Sequence, residues 1–306
     1  MSESRVSAAG VLYAIGAYGA WGVSPLYWKL LSDLPALEIL AFRVLWGMVL
    51  LFLLLRWRGR VGELVRSFQS GRLLRIFALS AFLIGINWYL YLYAVLQGHI
   101  LQASLGYFIN PLFNVLLGML FLHERLRPAQ WLAVGLAAVA VAQLAAQAGT
   151  FPWISLTLVL TFGIYGLVRK TAPADALLGM NLETAFLVPV AGSYVCLLAA
   201  RGEARFVEAD TSLLVLVAFT GVMTALPLLW FSNAARRLPL STLGFFQYIA
   251  PTGQFLLAVF HYHEPFSALQ LRSFVLIWIA LAIFSFEAHR HHRRIRRLRM
   301  AARSPL

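Results

Sequence analysis

Lysine, cysteine and carboxylates are the scarce residues of this chain: two lysines (Lys29 and Lys170), one cysteine (Cys196) and twelve Asp plus Glu stand among 306 residues. A lone cysteine excludes an intrachain disulfide and a cysteine-rich metal site. Neither lysine completes a GxxxxGK[ST] loop, so there is no Walker-type ATP site. His123-Glu124 and His263-Glu264 lack the second histidine of HExxH, and no GxSxG elbow is present. No catalytic residue, metal or cofactor is therefore expected.

What fills the chain instead is apolar. Hydrophobic residues make up 61% and charged residues 12%, with a mean hydropathy of +0.77, a composition that no soluble globular domain shares. A membrane span needs about 20 predominantly apolar residues, and roughly ten such stretches follow one another, at about 8–28, 37–55, 76–96, 101–122, 129–147, 153–168, 177–199, 213–233, 241–261 and 273–288. The expected fold is an all-α polytopic membrane protein.

A net charge of +13 raises the question of nucleic acid, and the placement of the basic residues answers it. With the N-terminus inside, alternate loops hold twenty Arg or Lys, from Arg5 through the six arginines of Arg56–Arg75 to the seven of Arg290–Arg303, while the other side holds Lys29, Arg201, Arg205 and Arg272. That positive-inside bias puts both termini in the cytoplasm. The basic tail, residues 289–306, is read as an anchor on anionic lipid, each Arg contributing about 1 kcal/mol near the surface. The expected partners are the bilayer and a small-molecule substrate, not nucleic acid; a homodimer is left open.

The chain also repeats itself. Ile109, Pro111, Leu116, Leu117, His123, Glu124 and Gln130 recur 140 residues later as Ile249, Pro251, Leu256, Leu257, His263, Glu264 and Gln270 without a gap. Tyr18-Gly19-x-Trp21-Gly22 answers Phe162-Gly163-x-Tyr165-Gly166, and Leu37-Glu38 answers Leu182-Glu183. The blocks run over 8–147 and 150–288, five spans each. An odd number per block makes the copies face opposite ways, an arrangement of secondary transporters that bind at the midplane between repeats.

Two matching stripes fall at that level. Ser104, Tyr107, Pro111, Asn114 and Gly118 share one helical face, as do Gly244, Gln247, Pro251, Gln254 and Ala258, with Asn110 and Tyr248 at their borders. Small and amide residues also glue membrane helices together, but the coincidence of two stripes favours a cavity lining. Asn87, Trp88 and Tyr91 add an amide and aromatic faces suited to an amphipathic solute. The candidate cavity residues are thus Asn87, Trp88, Tyr91, Tyr107, Asn110, Pro111, Gln247, Tyr248 and Pro251.

Arg43 and Glu183 are the costly residues inside the spans, a charge at helix centre costing about 2.5–3.5 kcal/mol on insertion scales. Each lies about six residues deep, roughly 9 Å, from opposite faces. In a core about 30 Å thick they stand roughly 12 Å apart along the normal. Separate vestibules are expected rather than one ion pair. For Arg43 the alternatives are snorkelling or binding an anion; for Glu183, proton coupling or a bond to a neighbouring helix. Glu124 and Glu264 are read as turn residues.

Gly85-Ile86-Asn87-Trp88, Ser104-Leu105-Gly106-Tyr107-Phe108-Ile109-Asn110-Pro111, Tyr165-Gly166-Leu167-Val168-Arg169-Lys170 and Ser241 through Ile249 resemble the RarD-type permeases of the EamA branch of the drug/metabolite transporter superfamily. The resemblance covers nearly the whole chain. It implies ten transmembrane helices as two inverted five-helix EamA repeats in a bacterial inner membrane. It also implies a central cavity built from the first, third, fourth, sixth, eighth and ninth helices, but supplies no substrate and no coupling residue. The expected function is secondary transport of a small metabolite or amphipathic compound by alternating access. The rival is a non-transporting membrane protein, either an intramembrane enzyme or an assembly scaffold.

Overall fold

Lipid offers no partner to backbone N–H and C=O groups, so a chain this apolar closes its hydrogen bonds inside helices. In the computed structural model every regular element among the described residues is helical. The structure describes residues 7–31, 33–96, 100–146, 153–208, 210–261 and, beyond those, 268, 271–273, 275–280, 282–284, 286–287 and 290. Glu264, Gln270 and the basic tail beyond residue 290 lie outside the described residues, as do the side chains of Ser104, Gln254 and Ala258.

The helices are α1 Ala8–Trp28, α2 Ala36–Trp57, α3 Val61–Ser67, α4 Gly71–Leu96, α5 Ile100–Leu122, α6 Pro128–Ala146, α7 Trp153–Thr171, α8 Ala176–Arg201, α9 Thr211–Arg237, α10 Leu240–Gln247 and α11 Ile249–Leu256. Five of them are long and apolar enough to cross a membrane, over Leu37–Trp57, Gly71–Tyr91, Trp153–Thr171, Ala176–Arg201 and Thr211–Arg237. Their outer faces carry exposed Phe52, Leu53, Phe82, Val190 and Val215, the surface of a protein whose solvent is lipid. The chain is a multi-pass membrane protein.

The stretch 241–261, expected as one helix, is broken. Pro251 has no N–H to give the carbonyl one turn back. The helix stops at Gln247, Tyr248 bonds back to the Phe245 carbonyl at 3.3 Å, and a new helix starts at Ile249. A π-helical turn, Leu257–His261, follows α11. Pro111 sits inside α5 without interrupting it.

Packing pairs are specific. α1 lies on α9 and α11, α2 on α8 and α9, α4 on α7 and α8, and α5 on α7 and α10. Close approaches rest on glycine: a Cβ on Gly244 would lie 2.7 Å from the Pro111 carbonyl oxygen, and one on Gly253 would lie 3.1 Å from the Gly22 Cα.

Polar contacts tie the ends. At one end Arg60 pairs with Glu63 at 2.7 Å and with Asp175 at 2.6 Å, and Arg236 bonds the Ala172 and Ala174 carbonyls. The hydrogen-bonded Arg60 guanidinium holds the Glu63 carboxyl below its ordinary range. Burial pushes the Asp175 carboxyl up, but the Leu178 N–H and Arg60 outweigh it, and Asp175 too lies low. It caps α8, accepting the Leu178 N–H at 2.9 Å. Elsewhere, Glu38 accepts the Phe206 N–H at 2.9 Å.

Candidate functional site

Helices α2, α4, α7, α8 and α9 enclose a cavity. Its polar wall is Arg43, Trp88, Tyr165, Glu183, Thr184 and Thr224, and its apolar wall includes Leu51, Ile84, Leu187 and Leu228. Water-sized volume inside it is about 20 Å³, room for one water rather than an organic solute.

Arg43 projects from α2 between aromatic faces. Its guanidinium carbon stands 4.7 Å from the Trp28 ring centroid and 5.0 Å from that of Trp88. Its Nε–H donates to Thr224 Oγ1 at 2.9 Å. Tryptophan faces stabilise a cation without neutralising it, and among the described residues Arg43 makes no ion pair.

Glu183 is differently placed. Its Oε1 accepts from Ser80 Oγ at 2.5 Å and from Arg169 Nη1 at 3.2 Å, and the Tyr165 hydroxyl lies 3.4 Å from Oε2. Arg169, 1% exposed, also donates to Ser232 Oγ at 3.1 Å and to the Ala176 carbonyl at 3.1 Å. Its guanidinium lies over the Phe77 ring at 5.6 Å. Any Cβ at position 179 would collide with Arg169 Nη1 and with Phe77, so Gly179 makes room for this side chain. The clasp joins α4, α7, α8 and α9.

The expectation of separate vestibules for Arg43 and Glu183 is corrected: both line one cavity. α2 and α8 pack directly together, so both side chains open on the same space. Glu183 has its counter-ion on the preceding helix, Arg169, a residue that the positive-inside count places in a loop at the end of an apolar run. The signal available was a small residue, Gly179, opposite a cation one turn inside the end of α7.

The other expected cavity residues meet neighbouring helices. Asn87 donates from Nδ2 to the Leu158 carbonyl and to Thr161 Oγ1, both at 3.0 Å, tying α4 to α7. Gln247 accepts from Asn114 Nδ2 at 3.0 Å, and the Tyr248 hydroxyl donates to the Phe108 carbonyl at 3.3 Å. The stripes on α5 and α10 thus face each other at Pro111–Gly244 and Asn114–Gln247, a contact of small residues and amides. Tyr91 and Tyr107 stack edge to face at 5.8 Å. Asn110 is buried with its Oδ1 unpartnered among the described residues, and Pro251 is buried in α11. Of the nine, Trp88 alone lines the cavity. Glu124 is a cap: its carboxylate accepts the Leu240 N–H at 2.6 Å and the Ser241 N–H at 3.0 Å at the start of α10.

A helical bundle with a lipid-facing exterior and a charged cavity between its helices is the form of a membrane transporter, and residues 8–145 match the EamA-like transporter family. The chain is 45% identical over 286 residues to Protein RarD of Escherichia coli (strain K12), covering 94% of this chain and 97% of that relative. It is 45% identical over 281 residues to the uncharacterized transporter YojE of Bacillus subtilis (strain 168), covering 90% and 93%. The chain belongs to the RarD-type permeases of the EamA family. Its fold matches a solved crystal structure with a TM-score of 0.72 at 18% identity, covering 94% of this chain and 99% of that one.

Proposed function

We propose that the chain is a bacterial inner-membrane secondary transporter, moving a small metabolite or amphipathic compound by alternating access. It is built as ten spans in two inverted five-helix repeats, 8–147 and 150–288, with both termini cytoplasmic. The observation that carries the reading is the packing scheme. Exchanging α1 with α7, α2 with α8, α4 with α9 and α5 with α10–α11 turns α1·α9 into α7·α4, α2·α9 into α8·α4 and α1·α11 into α7·α5, all of which pack. Pairs that map onto themselves, α2·α8 and α5·α10, pack as well. Tyr248 reaches Phe108, its own counterpart 140 residues earlier, as a two-fold axis passing between them requires. Two halves related in this way can rock about the axis and open a central site to each face in turn.

Within this reading Trp88 and Arg43 form the cavity wall, and Asn87, Tyr91, Tyr107, Asn110, Pro111, Gln247, Tyr248 and Pro251 the helix contacts that shift as it opens. The Glu183–Arg169 clasp supports a structural bond over proton coupling, because the carboxylate already has a buried cation. The inverted topology is tested by alkaline phosphatase fusions. A fusion at Glu203 is expected to be active and one after Arg299 inactive, whereas the reverse pattern overturns the repeat arrangement. An untargeted metabolite comparison of deletion and overexpression cells identifies the solute.

A further inference from the structure

The charges around the cavity do not balance. Arg169 and Glu183 neutralise each other at 3.2 Å, and Glu38, the carboxylate five positions before Arg43, lies off the cavity wall, its Oε1 accepting the Phe206 N–H. Arg43 remains a permanent cation inside α2 with no carboxylate at ion-pair distance among the described residues. Its Nε–H is taken by Thr224, and the guanidinium lies on the cavity wall. The two terminal nitrogens of a guanidinium form the fork that carboxylates occupy in a bidentate pair.

Resting on the transporter reading above, we infer that the solute carries an anionic group, a carboxylate or its like, which binds the Arg43 guanidinium between Trp28 and Trp88. The rings hold the guanidinium at 4.7 and 5.0 Å and keep it oriented in the absence of a counter-ion. Ile84, Leu187 and Leu228 on the same wall accept the apolar remainder. The substrate class is an amphipathic organic monoanion, whose charge brings the cavity to neutrality. A second negative charge would find no further free cation on this wall, since Arg169 is held by Glu183, which disfavours dianions.

The test measures binding to the purified full-length protein in detergent by calorimetry at pH 7.5, with 3-phenylpropanoate and its neutral twin 3-phenylpropanamide as probes. The carboxylate is expected to bind at least tenfold more tightly than the amide. Arg43→Gln removes that preference and Arg43→Lys keeps part of it, and both variants must elute as the parent does in size exclusion. A further difference tests the aromatic clamp: Trp88→Leu weakens carboxylate binding severalfold while the preference over the amide persists. Equal binding of the two probes overturns the assignment, as does an Arg43→Gln protein that binds the carboxylate like the parent. No binding of either probe to the parent also overturns it. None of these results bears on transport as such, which labelling of the cavity from the two membrane faces reads separately.

Discussion

Glu183→Gln provides a sharp test of the four-helix clasp. The substitution is nearly isosteric but keeps one carbonyl oxygen where Ser80 and Tyr165 bond different carboxylate oxygens, and it leaves Arg169, 1% exposed, without its anion. Removing one member of a buried ion pair costs about 3–5 kcal/mol, because the remaining charge is left uncompensated, whereas replacing both by apolar groups is often neutral. Retention of the side-chain shape and of one acceptor oxygen places Glu183→Gln within that range, at about 3 kcal/mol or more. The double variant Arg169→Met, Glu183→Leu is expected within about 1 kcal/mol of the parent. Unfolding in mixed micelles with rising SDS, followed by tryptophan fluorescence, measures Glu183→Gln and also the parent, Arg169→Met, Glu183→Leu and their double variant, the four corners of a cycle. The expected coupling is at least about 2 kcal/mol, and single-variant costs that simply add to within about 0.5 kcal/mol refute the clasp.

Gly179→Ala places a methyl group against Arg169 and Phe77, and in the same assay should cost about 1–3 kcal/mol as an overpacked contact. Gly244→Val should cost at least as much by pushing α10 off the Pro111 carbonyl, whereas Gly135→Ala, with open space at its Cβ, should be near neutral. Asn114→Leu should cost about 0.6 kcal/mol, the average of a hydrogen bond between membrane helices, in line with its single contact to Gln247. Asp175→Ala removes the α8 cap at about 1 kcal/mol. Because the Asp175 carboxyl lies below its ordinary value in the folded protein, its contribution is present above about pH 4 and lost as pH falls further. The difference between Asp175→Ala and parent should therefore vanish in acid, and a difference that grows there contradicts the sign.

The positions of α1, α2 and α4 to α9 were legible because apolar run length is a one-dimensional signal that lipid enforces. The break at Tyr248 was half legible: Pro251 announced it, yet Pro111 at the corresponding position leaves α5 whole, and only packing separates the two cases. The cavity was mostly illegible. Sequence pattern identifies polar residues that must avoid lipid, but not whether they meet each other or a solute. Asn114 and Gln247, 133 positions apart, bond across helices. Arg43 drew attention by its cost in the membrane, while Arg169 was hidden by lying at the end of an apolar run, where an arginine ordinarily reads as a loop anchor. Thr224 and Thr184, which complete the wall, look like ordinary hydroxyls of a membrane helix.

Alternating access at this cavity is tested most directly by a single cysteine at Thr184, which lines it on α8, in a Cys196→Ala background. A membrane-impermeant methanethiosulfonate is applied to right-side-out and to inverted vesicles, with Leu116→Cys, exposed on the outer surface of α5, as the lipid-facing control. Thr184→Cys is expected to label from both faces and Leu116→Cys from neither. Labelling of Thr184→Cys from one face alone, or from neither, would contradict transport through this site.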